Sequence, residues 1–236
     1  AATAARIVFD KADQTLAVDG LATQTEGVAA TWQVAGSSVL DNPRVQGSVS
    51  APSADLAALL AALEIEPPAG LDRRALGTAA LEARFDFQAE PQVLTLSSVE
   101  ARALGATIRG NGTLTGGNAL SGSIEIPEFV PGAPLQSWLR SSLPETVDVS
   151  AIDRLALRTA FDTTLDTGRV SLRNLEASAL GATIRGNVET VPGARGNIVR
   201  GNVTTSRFAA DGFAKAFAAS LPPNLAPSEL GTIEPD

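Results

Sequence analysis

Apolar and polar residues alternate along most of this chain. Leu81, Ala83, Phe85 and Phe87 are separated by Glu82, Arg84 and Asp86, and Leu155, Leu157 and Phe161 recur in a matching run. Alternation with a period of two sends successive side chains to opposite faces, so each run reads as a half-buried strand. Polar turn formers divide the runs: Lys11-Ala-Asp-Gln14, Glu90-Pro91 and Asp166-Thr-Gly168. Second strands start at Leu16-Ala-Val18, Leu94-Thr-Leu96 and Val170-Ser-Leu172, and the alternation slips phase near Ser97-Ser98 and Arg173-Asn174. A slip of phase inside a strand predicts a β-bulge. Third strands run through Ala106, Ile108 and Gly110, and fourth strands through Val45–Val49, Leu120–Ile126 and Val199–Val203.

The period then changes. Leu56, Leu59, Leu60 and Leu63 sit at i, i+3, i+4 and i+7 behind Ser53-Ala-Asp55, which predicts a short amphipathic helix with its N-cap. Leu135, Trp138, Leu139 and Leu143 hold a similar stripe, as do Phe213, Phe217 and Leu221. Pro67-Pro68, Pro144 and Pro222-Pro223 stop these helices, because proline cannot continue the hydrogen-bond ladder.

The pattern is a repeat. Glu100–Asn111 reads EARALGATIRGN and Glu176–Asn187 reads EASALGATIRGN, with eleven of twelve positions identical at an offset of 76. Phe9-Asp10, Phe85-Asp86 and Phe161-Asp162 keep the same offset. Val28–Trp32 aligns with Leu104–Ile108 as a worn copy, which places Trp32 in the slot of Ile108 and Ile184. Gly47, Gly122 and Gly201 come close to the offset, at 75 and 79. Within the repeated phrase, Leu104-Gly105 and Leu180-Gly181 predict tight reversals with glycine at positive φ. The fold class expected is therefore mainly β, with three repeats of 76 residues, each a four-stranded antiparallel meander plus one short helix. The boundaries are 1–74, 75–150 and 151–224, with 225–236 opening a further repeat or forming a tail, since Leu225–Thr232 resembles Leu71–Thr78. The chain reads as a segment of a longer repeat protein.

Composition narrows the chemistry. The chain has no Cys and no His, which removes thiol nucleophiles, Cys/His metal sites and histidine acid–base catalysis. Its net charge is −8, so it lacks the basic surface that a nucleic-acid partner needs. Asp10, Asp86 and Asp162 each follow an inward Phe and point to water, and the glycines at 116–117 lack the Lys-Ser/Thr of a phosphate loop. No enzyme activity and no cofactor is expected. No apolar run reaches the roughly 18 residues of a membrane span.

The phrase LGATIRGN at 104–111 and 180–187, the leucine-rich Asp55–Leu63 after the strand from Val49, and Arg74–Phe85 recur in order across nearly the whole chain. In these features the chain resembles the AsmA-like family of bacterial envelope proteins, related to TamB. The resemblance implies one long folded-over sheet, taco-like in section, with an apolar concave groove. It also implies a periplasmic location, an inner-membrane anchor, and a role in phospholipid transport between the inner and outer membranes. Its implied partners are phospholipid acyl chains, membranes and other envelope proteins.

Alternation puts Phe85, Phe87, Leu94, Leu96, Ile108, Ile124 and Ile126 on one face of the second unit. Leu157, Phe161, Val170, Leu172, Ile184 and Val203 are their counterparts in the third. These thirteen are the candidate groove lining. The same pattern would serve a filled core beneath the helices, in a scaffolding repeat that assists outer-membrane protein assembly, because a buried face and a lipid-wetted face share one composition. Arg109 and Arg185 point the other way, toward cross-strand ion pairs.

Overall fold

The computed structural model describes residues 1–25, 27–62, 76–143, 148–193, 196–206, 208–209 and 232–233. Thirteen strands form one sheet that meanders in sequence order, each neighbouring pair antiparallel. β1 (Ala2–Thr3) and β2 (Arg6–Asp10) lie end to end along β3 (Thr15–Thr25), followed by β4 (Val28–Ser37) and β5 (Arg44–Asp55). Helix α1 (Leu56–Ala62) leads toward the second unit, β6 (Thr78–Gln88), β7 (Val93–Ala103), β8 (Ala106–Thr115) and β9 (Ala119–Phe129). Helix α2 (Ala133–Ser142) and a 3₁₀ turn at Val149–Ala151 precede the third unit, β10 (Leu155–Thr164), β11 (Arg169–Ala179), β12 (Ala182–Gly193) and β13 (Gly196–Thr205). Two short strands, β14 (Phe208–Ala209) and β15 (Thr232–Ile233), pair apart from the sheet.

Local chemistry explains the turns. Leu104-Gly105 and Leu180-Gly181 close two-residue hairpins with both residues left-handed, at φ of 55° and 83° and of 54° and 72°. That geometry matches the twist of the flanking strands. The ladder register shifts between Leu96 and Val99 and between Leu172 and Leu175, the positions of the predicted bulges, and a third shift lies between Val18 and Leu21. Asp55 caps α1 by accepting a hydrogen bond from the Ala58 N–H at 3.0 Å. The helical stripe at 213–221, Leu63 and the opening of a further repeat lie outside the described residues, apart from β15.

Both helices sit at the rim carrying the Leu-Gly turns, and the buried large or apolar side chains of the described residues gather there. Ala51, Ala54, Leu76 and Ala79 are buried beside α1, and Pro131, Val149 and Ile152 beside α2. The other rim is clamped between units. Asn42 accepts from the Glu90 N–H at 3.2 Å, and Asn118 accepts from the Asp166 N–H at 3.0 Å, the same clamp displaced by 76 residues. Nothing in the apolar alternation marks these asparagines.

Two expectations are corrected. The sheet is open and is not strongly curled, so the taco-like section is not observed: the ladder runs from β1 and β2 to β13 without returning on itself. Alternation fixes faces but is indifferent to curvature, and a meander on short hairpins supplies no crossover to close it. The alignment of Val28–Trp32 is also displaced. Val28 closes its hairpin against Thr25 as Ala106 does against Ala103, so Trp32 holds the slot of Gly110 and Gly186, opposite Leu21, and not that of Ile108. By the same ladders Ile7, not Phe9, is the counterpart of Phe85. A two-residue slip keeps every side chain on its face, so alternation cannot detect it.

Candidate functional site: an open apolar face

The ladders join the strands into rows that cross the sheet. One row passes through Phe9, Leu16, Gly36, Val45, Phe87, Leu94, Leu114, Leu120, Thr163, Val170, Thr190 and Val199. The next passes through Ile7, Val18, Val34, Gly47, Phe85, Leu96, Gly112, Gly122, Phe161, Leu172, Val188 and Gly201. A third contains Trp32, Val49, Ala83, Val99, Gly110 and Ile124, and resumes at Leu175, Gly186 and Val203. A fourth holds Leu81, Ala101 and Ile108 in the second unit and Ile126, Leu157, Ala177 and Ile184 at and beyond the second junction.

All thirteen candidate residues fall on these rows, hence on one face. None is buried: Phe85, Phe87, Leu94, Leu96, Ile108, Ile124, Ile126, Leu157, Phe161 and Leu172 are half-buried, and Val170, Ile184 and Val203 are exposed. In the described residues the helices remain at the rim and pack on β5 and on the 3₁₀ turn rather than across the rows. Trp138, on the apolar stripe of its helix, is half-buried. The rows also include apolar residues of the first unit, among them Leu16, Val18, Val34 and Val45, which alternation already marks.

Glycines interrupt the two middle rows, and most leave no room for a side chain. A Cβ placed on Gly47 would lie 2.3 Å from the Gln33 carbonyl oxygen and 2.7 Å from the ring of Phe85. On Gly186 it would lie 2.0 Å from the Asn202 carbonyl oxygen. Glycine inside a strand commonly marks such close backbone approach. These glycines lie near the bulges, where a strand bends and twists more strongly.

The opposite face is polar and laced across its strands. Glu100 receives Arg102 at 2.6 Å and Arg109 at 3.2 Å, and Glu176 receives Arg185 at 2.5 Å. Arg169 pairs with Glu189 and Arg173 with Asp162. The repeated twelve-residue phrase is thus a complete hairpin tip: its Glu and its Arg face each other across the Leu-Gly turn. The Arg102 and then the Arg109 guanidinium hold the Glu100 carboxyl below its usual range. Such exposed pairs contribute little stability singly. Hollows of about 550, 400 and 480 Å³ open chiefly on this polar face, beside Asp19 and Asp86, Arg158 and Glu176, and Glu82 and Glu100 respectively. Of the thirteen candidates they touch Phe85 and Ile124 alone.

Among the described residues no helix is long and apolar enough to cross a membrane, and no group of three or more His, Cys, Asp or Glu could hold a metal ion. Comparison with family models, with curated proteins and with solved structures finds no match to this chain.

Proposed function

We propose that the chain is a periplasmic segment of an AsmA-like envelope protein and supports phospholipid transport between the inner and outer membranes. Acyl chains would lie along the apolar rows. The supporting observation is that two of these rows cross the sheet from β2 to β13 and two more run beside them in part, while none of the thirteen candidate side chains is buried. Twelve strand positions at a spacing of about 4.8 Å make the two full rows about 50 Å long, and with the two partial rows the largely apolar face has a footprint on the order of 1,000 Å². Monomeric proteins rarely leave more than a few hundred Å² of contiguous apolar surface to water, so a patch this large marks an interaction site. Aliphatic side chains with few polar anchors suit an acyl chain, which needs contact and water exclusion but no hydrogen bonds. The surface is a shallow open face, not a closed channel.

The test is mass spectrometry of gently prepared protein. The expected result is co-purifying phospholipid that is lost from Ile108→Lys and Ile184→Lys variants which remain folded. Lipid-free wild-type protein, or variants that unfold outright, would count against an acyl-bearing face. A second reading, a scaffold that templates the strands of client proteins, is favoured by the bare outer strands, where Ile7, Phe9, Val199 and Val203 are exposed. It requires binding at the strand edges and no lipid on the face.

A further inference from the structure

Among the described residues no strand pairs with the outer side of β2 or of β13. Ile7 is 64% exposed and Val203 59%, whereas their ladder counterparts inside the sheet, Phe85 and Ile124, are half-buried. Outer strands normally carry proline, lysine or a bulge that discourages pairing. Within β2 and β13 there is no proline, no lysine and no register shift.

The junctions between units show what such margins pair with. β5 meets β6 with Gly47 opposite Phe85, and β9 meets β10 with Gly122 opposite Phe161. Gly201 in β13 is the third copy of that glycine, and Ile7 in β2 is the first copy of the residue facing it. We infer that β13 of one copy of this chain pairs antiparallel with β2 of a second copy, with Gly201 opposite Ile7. The register then sets Val199 against Phe9 and Val203 against Ala5, just as Val45 faces Phe87 and Val49 faces Ala83. On the polar face Asn202 meets Arg6, as Ser48 meets Arg84.

The two apolar rows that reach both margins run on through this joint, and the exposed residues become half-buried like their internal counterparts. A one-residue slip would turn the apolar face of one copy onto the polar face of the other, so it is excluded. A two-residue slip would set Asn202 opposite Val8, the register implied by the 76-residue sequence offset. The two mating surfaces differ, so copies add head to tail in an open series and do not close as a symmetric pair. The joint lacks the asparagine clamp of the internal junctions, because the N–H of Ala12, counterpart of Glu90, is taken by Asp10 at 2.8 Å. Main-chain pairing and the apolar rows hold it alone.

The chain has no cysteine, so an introduced thiol has no competitor. The experiment mixes Asn202→Cys protein with Arg6→Cys protein under mild oxidation, with Val8→Cys as the alternative partner. Directly opposed residues have Cα atoms about 4.5–5.5 Å apart, within disulfide reach, while residues displaced by two along the strand stand at roughly 7 Å or more. The expected product is a cross-linked species of twice the 24.1 kDa chain mass from the Arg6→Cys mixture, and little from the Val8→Cys mixture. Sedimentation of the unmodified protein should show multiples of the chain mass that grow with concentration. Ile7→Lys should return it to monomer with an unchanged far-ultraviolet spectrum. A protein that stays monomeric at every concentration would overturn the pairing, and so would Ile7→Lys protein that still forms the multiples. Equal or stronger cross-linking through Val8→Cys would overturn the register.

Discussion

Gly112 and Gly122 face each other across the β8–β9 ladder, in the same row and on the same face, yet they should respond to alanine in opposite ways. Neither has a positive φ, so alanine is conformationally admissible at both. A Cβ on Gly112 would meet the Ser121 carbonyl oxygen at 3.4 Å and Leu120 Cδ1 at 3.8 Å, which are ordinary contacts. The substitution there removes freedom from the unfolded chain at little steric cost, a gain of about 0.5–1 kcal/mol. A Cβ on Gly122 would lie 2.1 Å from the Asn111 carbonyl oxygen and 2.9 Å from Gly112 Cα. The obstacle is backbone, so the strands must part by roughly 1 Å. That lengthens ladder hydrogen bonds worth about 1 kcal/mol each and adds an overpacking cost of about 1–3 kcal/mol. The two variants should therefore differ by about 2–4 kcal/mol. With a urea slope of about 3 kcal/mol/M, their unfolding midpoints should separate by about 1 M, followed by far-ultraviolet circular dichroism. Midpoints that move together, or a Gly122→Ala protein as stable as the parent, would refute the idea that close backbone approach keeps this glycine.

Other consequences are as direct. Ile184 is 44% exposed, so of the roughly 1.5–3 kcal/mol for full burial about 1–1.5 kcal/mol is at stake, and Ile184→Lys should cost no more than that because the lysine stem covers part of the surface. Loss of several kcal/mol on urea titration would mean that a charge had been forced into a closed interior. Leu180 holds φ of 54° at the first position of a hairpin turn, where asparagine is favoured over a branched apolar residue, so Leu180→Asn should raise stability by about 0.5 kcal/mol on urea titration; a fall would show that the leucine contacts outweigh the backbone strain. Glu100 has its folded pKa lowered by Arg102 and Arg109, so its contribution is fully present above the unfolded value of 4.5 and is lost as pH falls through the folded one. The midpoint difference between wild type and Glu100→Gln should accordingly shrink as pH falls below about 4.5, and a difference that stays constant or grows would contradict the pairing.

The repeated EAxALGATIRGN phrase shows how far the sequence reached. Its two arginines suggest cross-strand pairing and its glycine suggests the turn; the structure places both accordingly and supplies the partners, Glu100 and Glu176. Alternation was enough to put Phe85, Ile108, Phe161 and Ile184 on one face, because the side-chain period of an extended chain is a property of the backbone. Where information was lost, the cause was a degeneracy in that same period. Aligning Trp32 with Ile108 preserved every face and displaced the row by one, and only the Thr25–Val28 hairpin closure put it opposite Leu21. The clamps from Asn42 and Asn118 link residues 48 apart and leave no trace in local pattern.

By itself, then, the sequence determined the strands, their faces, the bulges, the Leu-Gly turns and the repetition of a four-stranded unit, since each follows from local backbone geometry and side-chain period. The tertiary structure decided what surrounds those faces. Among the described residues the sheet stays open, the buried apolar side chains collect at one rim beside the helices, and the apolar rows stay partly exposed to water. Curvature and covering depend on how distant elements pack, and an alternating strand carries the same residues whether a helix, a lipid or solvent lies above it.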